Sequence, residues 1–268
     1  MFQVCLPVSH LMDRDSPRVR ALFDLADVIE YRSAHRPDFV PDKPCVFHWG
    51  LGSVLDGFGP EFQGQGLGGF LARIRADWFS FDLGPACRRN DYILPLSPTL
   101  GPEDILAETD RSLDLVRRSY AGCLAAENYN YYPTGLYEHI CRPDFIGRFL
   151  ETFDLGLVLD LAHASVTAAN LNLDLRSYLL ELPLERVVEV HLSRPHLHPI
   201  VAVDAHAAPL DEDFDLLSFV LAELSGPAIV AIEHYRDLDT VLSLYRRLRE
   251  LLGDFDLRPE AAVGGQGA

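Results

Sequence analysis

The chain predicts a single-domain α/β protein, a (β/α)8 TIM barrel, on three observations. Short β-rich runs alternate with helical patterns along most of the sequence, the order expected of a parallel sheet built from βα units. Eight such runs can be read, the number that closes a barrel. At 268 residues the chain has the length at which α/β barrels run as one domain, and its 48% hydrophobic and 24% charged residues supply an ordinary globular core.

Phe2 to Val8 and Asp27 to Tyr31 read as the first two strands, with a helix near Arg18 to Leu25 between them. Cys45 to His48 is the third, entered through Pro41 and Pro44, and the Pro-rich link before it is too short for a good helix. The glycine-rich segment GLGSVLDGFGPEFQGQGLGG then reads as a loop leading into a helix near Phe70 to Arg75; its GQGLGG lacks the Lys-Ser/Thr of a phosphate-binding loop. Trp78 to Asp82 is the fourth strand. The next helix opens on PEDILAETD, where Pro102 suits the first turn and the acidic residues favour the positive helix end. Gly122 to Ala126 is the fifth strand, assigned from its place in the alternation because its composition is poor in β-formers. A helix over Pro143 to Phe153 precedes the sixth strand, Gly156 to Asp160. Helices over Leu173 to Leu182 and Phe214 to Leu224 flank the seventh strand, Arg186 to His191. Ala228 to Glu233 is the eighth strand, and Leu238 to Leu252 the last helix. The barrel domain is expected to span 1–258, with the small, Gly-rich tail 259–268 disordered.

The net charge of −17, from 23 basic and 40 acidic residues, creates a field that repels phosphate backbones, so nucleic acid is a poor partner. No run of about 18 apolar residues suggests a membrane span, and the first residues read straight into a strand instead of a signal peptide. Five scattered cysteines without a CxxC pair argue against a disulfide framework or zinc ribbon and fit a reducing cytoplasm. The sole lysine is Lys43, which makes Schiff-base chemistry a poor fit.

Placed on these strands, potential metal ligands cluster at one end. His48 ends the third strand, Asp82 the fourth, Asp160 the sixth, His191 the seventh and Glu233 the eighth, while Glu127 lies just beyond the fifth. All fall at the C-terminal mouth, where barrel enzymes keep their active sites. Two spacings add to this. Asp160-Leu-Ala-His163 sets an imidazole in the turn after a strand-end carboxylate, and Asp204-Ala-His206, if extended, aims both side chains to one side. Imidazoles and carboxylates are the ligands Fe, Zn and Mn accept, and there are more here than one ion needs. A multinuclear site is expected.

The segments FHWGLGS, LAAENYNYY, LVLDLAHASVTAANLNLDLRSYL, VVEVHLSRP, VDAHAAP and VAIEHY resemble the MbnB/TglH/ChrH family of multinuclear non-heme iron-dependent oxidative enzymes, within the xylose-isomerase-like superfamily. The resemblance runs from about Val46 to Tyr235. It implies a di- or tri-iron cofactor with O2 as co-substrate, and oxidative modification of a ribosomally made precursor peptide, often at a cysteine, presented by a partner protein. It also implies that His48 and Glu127 hold one iron, with Glu127 bridging to a second that takes Asp160, His191 and Glu233. His163, Asp204 and His206 would build a third position. The family has a histidine where this chain has Asp82, and an acidic residue where it has Tyr235. Asp82 and Asn128 are candidates for direct roles in catalysis. Glu138 and Asn170 stand at family-like positions as possible supports, and Tyr129, Tyr131 and Tyr132 at a rim. The competing reading is a Zn- or Mn-dependent hydrolase or isomerase of the same superfamily, of the endonuclease IV or sugar-isomerase kind.

Overall fold

Side chains alternate between the barrel interior and the helix layer along β1 (Phe2–Pro7), β2 (Val28–Arg32) and the first six residues of β3 (Cys45–Ser53), with register shifts where the third barrel strand pairs with the fourth and the sixth with the seventh. The same holds for β4 (Ala76–Asp82), β5 (Cys123–Glu127), β6 (Gly156–Asp160) and β7 (Val187–Leu192). A short antiparallel hairpin, β8 (Arg194–His196) with β9 (Val203–Ala207), precedes the last barrel strand, β10 (Ala228–Ile232). Eight parallel strands close in the order β1-β10-β7-β6-β5-β4-β3-β2, the (β/α)8 TIM barrel expected. This computed structural model describes residues 1–12, 16–33, 42–53, 62–64, 66–87 and 98–256. The stretch 54–61 of the glycine-rich segment and the tail 259–268 lie outside the described residues.

Outward-facing strand residues such as Leu6, Ile29, Phe47, Phe79, Leu157, Val190 and Val230 join the large core between sheet and helices. Inward-facing Cys5, Val28, Val46, Ile229 and Ala231 form a small apolar plug with Trp78 packed against it. Towards the C-terminal ends the inward positions turn polar, and that change of chemistry along each strand makes the mouth a site.

The outer layer comprises α1 (Pro17–Leu25), α2 (Leu67–Ile74), α3 (Pro102–Arg117), α4 (Pro143–Phe153), α5 (Leu161–Leu171), α6 (Leu175–Glu181), α7 (Asp211–Glu223) and α8 (Leu238–Asp256). α3 starts at Pro102 with Glu103 and Asp104 in its first turn, as its sequence predicts. Three elements differ from expectation. β3 runs past His48 to Ser53, so His48 lies within the strand and not at its end. Sequence reading sees only a turn after Asp160, yet α5 runs from Leu161; Leu161 to Ala168 is buried continuously, so no amphipathic period marks it. The β8–β9 hairpin is equally silent, because β8 is three residues long and contains a proline.

Candidate metal centre

Asp160 ends β6 and also caps α5. Its Oδ1 accepts the His163 backbone N–H at 2.6 Å, satisfying one of the orphan donors of the helix start, while its Oδ2 is buried with no hydrogen-bond partner. The Asp-x-x-His spacing is therefore a capping geometry that lifts the His163 ring to the level of the strand ends. Asn128 locks this corner. Its amide donates to the Asp160 carbonyl (3.0 Å) and accepts the Asp160 N–H (2.8 Å), and its own carbonyl accepts from His163 Nδ1 (2.8 Å).

Three groups of His and carboxylate atoms, each within 4.8 Å, line up across the mouth: His48, Asp82 and Glu127; Glu127, Asp160 and His163; Asp160, His191 and Glu233. Consecutive groups share a carboxylate. His48 Nε2 lies 3.2 Å from Glu127 Oε2 and 3.4 Å from Asp82 Oδ1, and His191 Nδ1 lies 3.0 Å from Glu127 Oε1 and 3.5 Å from Glu233 Oε1. The β8–β9 hairpin closes the rim: Asp204 Oδ2 stands 3.8 Å from His163 Nε2 and 3.2 Å from His206 Nδ1, and His206 Nε2 meets Glu233 Oε2 at 2.8 Å.

Burying such charges costs on the order of several kcal/mol per ion unless something compensates. Burial pushes the Glu127 carboxyl up to about 8 despite the pull of His191, and raises Asp160 despite His163. Burial works against charging His163 and His191, yet Asp160 at the first and Glu233 and Glu127 at the second raise both well above the ordinary imidazole value. His206 rises to about 9 against its burial, through Glu233. His48 is lowered, by burial and then by Arg32. Glu233, whose burial alone would raise it, is held well below the carboxylate range by Arg32 and His191.

Of the nine ligand candidates all but Asp160 and His191, which are buried behind it, open onto a cavity of about 460 Å3 that is also lined by Tyr129, Asn130, Ser9, His10 and Ser33. The residues fit metal ions. Beyond the free Asp160 Oδ2, a Cβ added at Gly50 would stand 3.0 Å from His48 Nε2, so glycine there keeps the open face of that ring clear.

All nine ligand candidates read from the sequence converge here, with two differences. His163 groups with Glu127 and Asp160 more tightly than with Asp204 and His206, because the cap on Asp160 fixes it from behind. His206, at φ 42°, leaves extended geometry and turns its Nε2 to Glu233. Asn128 does not line the cavity; both polar side-chain atoms serve the Asp160 backbone, so it acts on the site only through position. Asp82 does line it, in the place of the expected histidine. Asn170 holds the hairpin by bonding Ala202 through both its amide atoms and donating to the Tyr131 carbonyl, while Glu138 accepts from the Tyr131 hydroxyl; neither reaches the cavity. His196 and His198 are exposed.

Sequence reading missed Glu30, Arg32, Ser80 and Glu189. Arg32 pairs with Glu30 (Nε to Oε1, 2.6 Å) and contacts Glu233, and Ser80 Oγ meets His48 Nδ1 at 3.0 Å. Glu-x-Arg in β2 and Glu-x-His in β7 carried the signal, since residues two apart on a strand share a face.

A family model described as the RiPP precursor modification enzyme MbnB/TglH/ChrH matches residues 62–251. The chain belongs to this family. A UPF0276 protein of Bordetella parapertussis is 29% identical over 159 residues, 57% of this chain and 55% of that protein, so the chain spans about half the length of that relative in the match. A UPF0276 protein of Caulobacter vibrioides is 25% identical over 263 residues, 93% of this chain and 90% of that one. Among solved structures, a D-tagatose 3-epimerase-like protein shares the fold with TM-score 0.62 at 14% identity, covering 94% of this chain and 98% of its own. The IolI protein with a bound zinc atom aligns with TM-score 0.58 at 13% identity, covering 94% and 99%. No described helix is long and apolar enough to cross a membrane.

Proposed function

We propose that this chain uses two or three iron ions and O2 to modify a ribosomally made precursor peptide oxidatively, with a partner protein presenting the peptide. The observation that carries the reading is the chain of three His and carboxylate groups sharing Glu127 and Asp160 at the mouth of the barrel. Membership of a family of precursor-modifying enzymes supports a peptide as the substrate.

His48, Asp82 and Glu127 would hold one ion and Asp160, His191 and Glu233 another, with His163 between them and Asp204 and His206 at the rim. Bound iron supplies redox capacity and open positions for O2 and a substrate atom. The chain's own part is preparation. Ser80 stands behind His48 Nδ1 and the Asn128 carbonyl accepts from His163 Nδ1, which leaves both Nε2 atoms facing the cavity. Asn128 fixes Asp160, and burial of Glu127, Asp160 and His191 keeps bulk water from the carboxylates. Tyr129 and Asn130 offer an aromatic face and an amide to an incoming peptide. The acidic surface, at −17, disfavours a nucleic-acid substrate.

Protein purified anaerobically from iron-replete cells, mixed with O2 and the peptide encoded beside its gene, should produce an O2-dependent mass change. A protein that holds only zinc and consumes no O2 overturns the proposal. That result would favour a Zn- or Mn-dependent isomerase or hydrolase, the reading supported by the epimerase and zinc-bound barrels that share this fold.

A further inference from the structure

His191 is turned the opposite way from the histidines on either side of it. His48 and His163 present Nε2 to the cavity carboxylates, with Nδ1 backed by the Ser80 hydroxyl and the Asn128 carbonyl. His191 presents Nδ1 to Glu127 and Glu233, and its Nε2 points down into the barrel. There it faces Glu189 Oε1 at 3.5 Å and Glu30 Oε2 at 3.8 Å. Both carboxylates are fully buried.

The two carboxylates are not equivalent. Glu30 is paired with the Arg32 guanidinium through Nε at 2.6 Å and Nη2 at 3.0 Å. Glu189 Oε2 accepts from the Trp78 indole at 3.2 Å, while its Oε1 and His191 Nε2, 3.5 Å apart, are both buried without a hydrogen-bond partner. A buried carboxylate oxygen needs a donor; the Cys5 thiol stands beside Glu189 as well, and the donor opposite Oε1 is the imidazole Nε2–H.

We propose that Glu189, set by Trp78, is a positioning residue that holds the proton of His191 on Nε2 and so makes Nδ1 its metal-binding nitrogen. Because the backing group is an anion here and neutral behind His48 and His163, His191 is the most strongly donating imidazole of the three, and its ion is held most tightly. The inference rests on the metal-centre reading given above.

Zinc titrated into chelator-stripped protein tests it without any turnover. Glu189→Gln keeps an acceptor but removes the charge, and it should weaken one zinc-binding step by about 10- to 100-fold, the range typical of outer partners, while the step lost in His48→Gln stays unchanged. Ring 15N NMR of the zinc-loaded wild-type protein reads the same claim even if the variant fails to fold. The resonance pair that disappears in His191→Gln should show a protonated Nε2 and a zinc-bound Nδ1. A zinc-bound Nε2 at His191, or zinc steps that Glu189→Gln leaves unmoved, overturns the role of Glu189 alone. Failure of the wild-type protein to take up either zinc or iron overturns the metal centre and this inference together.

Discussion

His48 and His191 face one another edge to face across the candidate centre, their ring centroids 5.3 Å apart at 86°. One side of the site, on β3 and β4, is backed by a serine hydroxyl and opened by a glycine; the other, on β6, β7 and β10, is backed by buried carboxylates and an arginine. The same kinds of ligand thus stand in different electrostatic settings. On the proposed reading the two ends, joined through Glu127, would hold ions with unequal strength.

The largest effect should come from the join itself. Glu127→Gln removes charge from both groups that share this residue, and metal affinity on both sides should fall by more than about 100-fold, beyond what outer partners are worth. If metal analysis shows loss of only one ion, the two sides do not share Glu127. Gly50→Ala strikes the β3 side alone, since its Cβ would crowd His48 Nε2 at 3.0 Å. About one equivalent of metal should disappear while the His191 side stays loaded; equal loss on both sides would break the comparison.

Asn128→Ala tests the scaffold beneath both. It leaves the Asp160 N–H and carbonyl without their buried partners, so urea unfolding should show a loss of about 2 kcal/mol, with metal retention falling less than in Glu127→Gln. An unchanged midpoint would mean that the Asn128 bonds carry no load.

The pH dependence has a definite sign. In the metal-free protein His206 titrates near 9, above the ordinary 6.5. Its charged ring therefore stabilises the fold fully below about 6.5, and that contribution is lost as pH rises through about 9. Metal needs the neutral ring, so affinity should climb over the same window by about a decade per pH unit for each proton displaced. A flat zinc affinity across that range would exclude His206 as a ligand. The smallest effect is expected from Asp82→His, which should raise metal content at the His48 side modestly; no change would mean that the aspartate already serves as well.

The fold was legible because β-rich runs alternate with helical patterns along the chain, which placed even the fifth strand, and the site because Asp82, Glu127, Asp160, His191 and Glu233 stand at or next to strand ends, with His48 inside a β3 that runs on to Ser53. What was hidden has a common cause. Glu30 and Glu189 sit two residues before Arg32 and His191, so they read as ordinary strand charges until barrel closure puts them under the site, in contact across the interior. α5 escaped notice because burial on all sides erases helical periodicity, and Asn128 reads as a loop polar residue until the Asp160 backbone is seen against it.

The proposed centre requires that its ions share a bridging carboxylate. Mössbauer spectroscopy of anaerobically purified, iron-loaded protein, with iron counted per chain, measures this most directly. Two or more irons per chain, magnetically coupled, is the result expected; a single isolated iron, or zinc alone under iron-replete conditions, would contradict it.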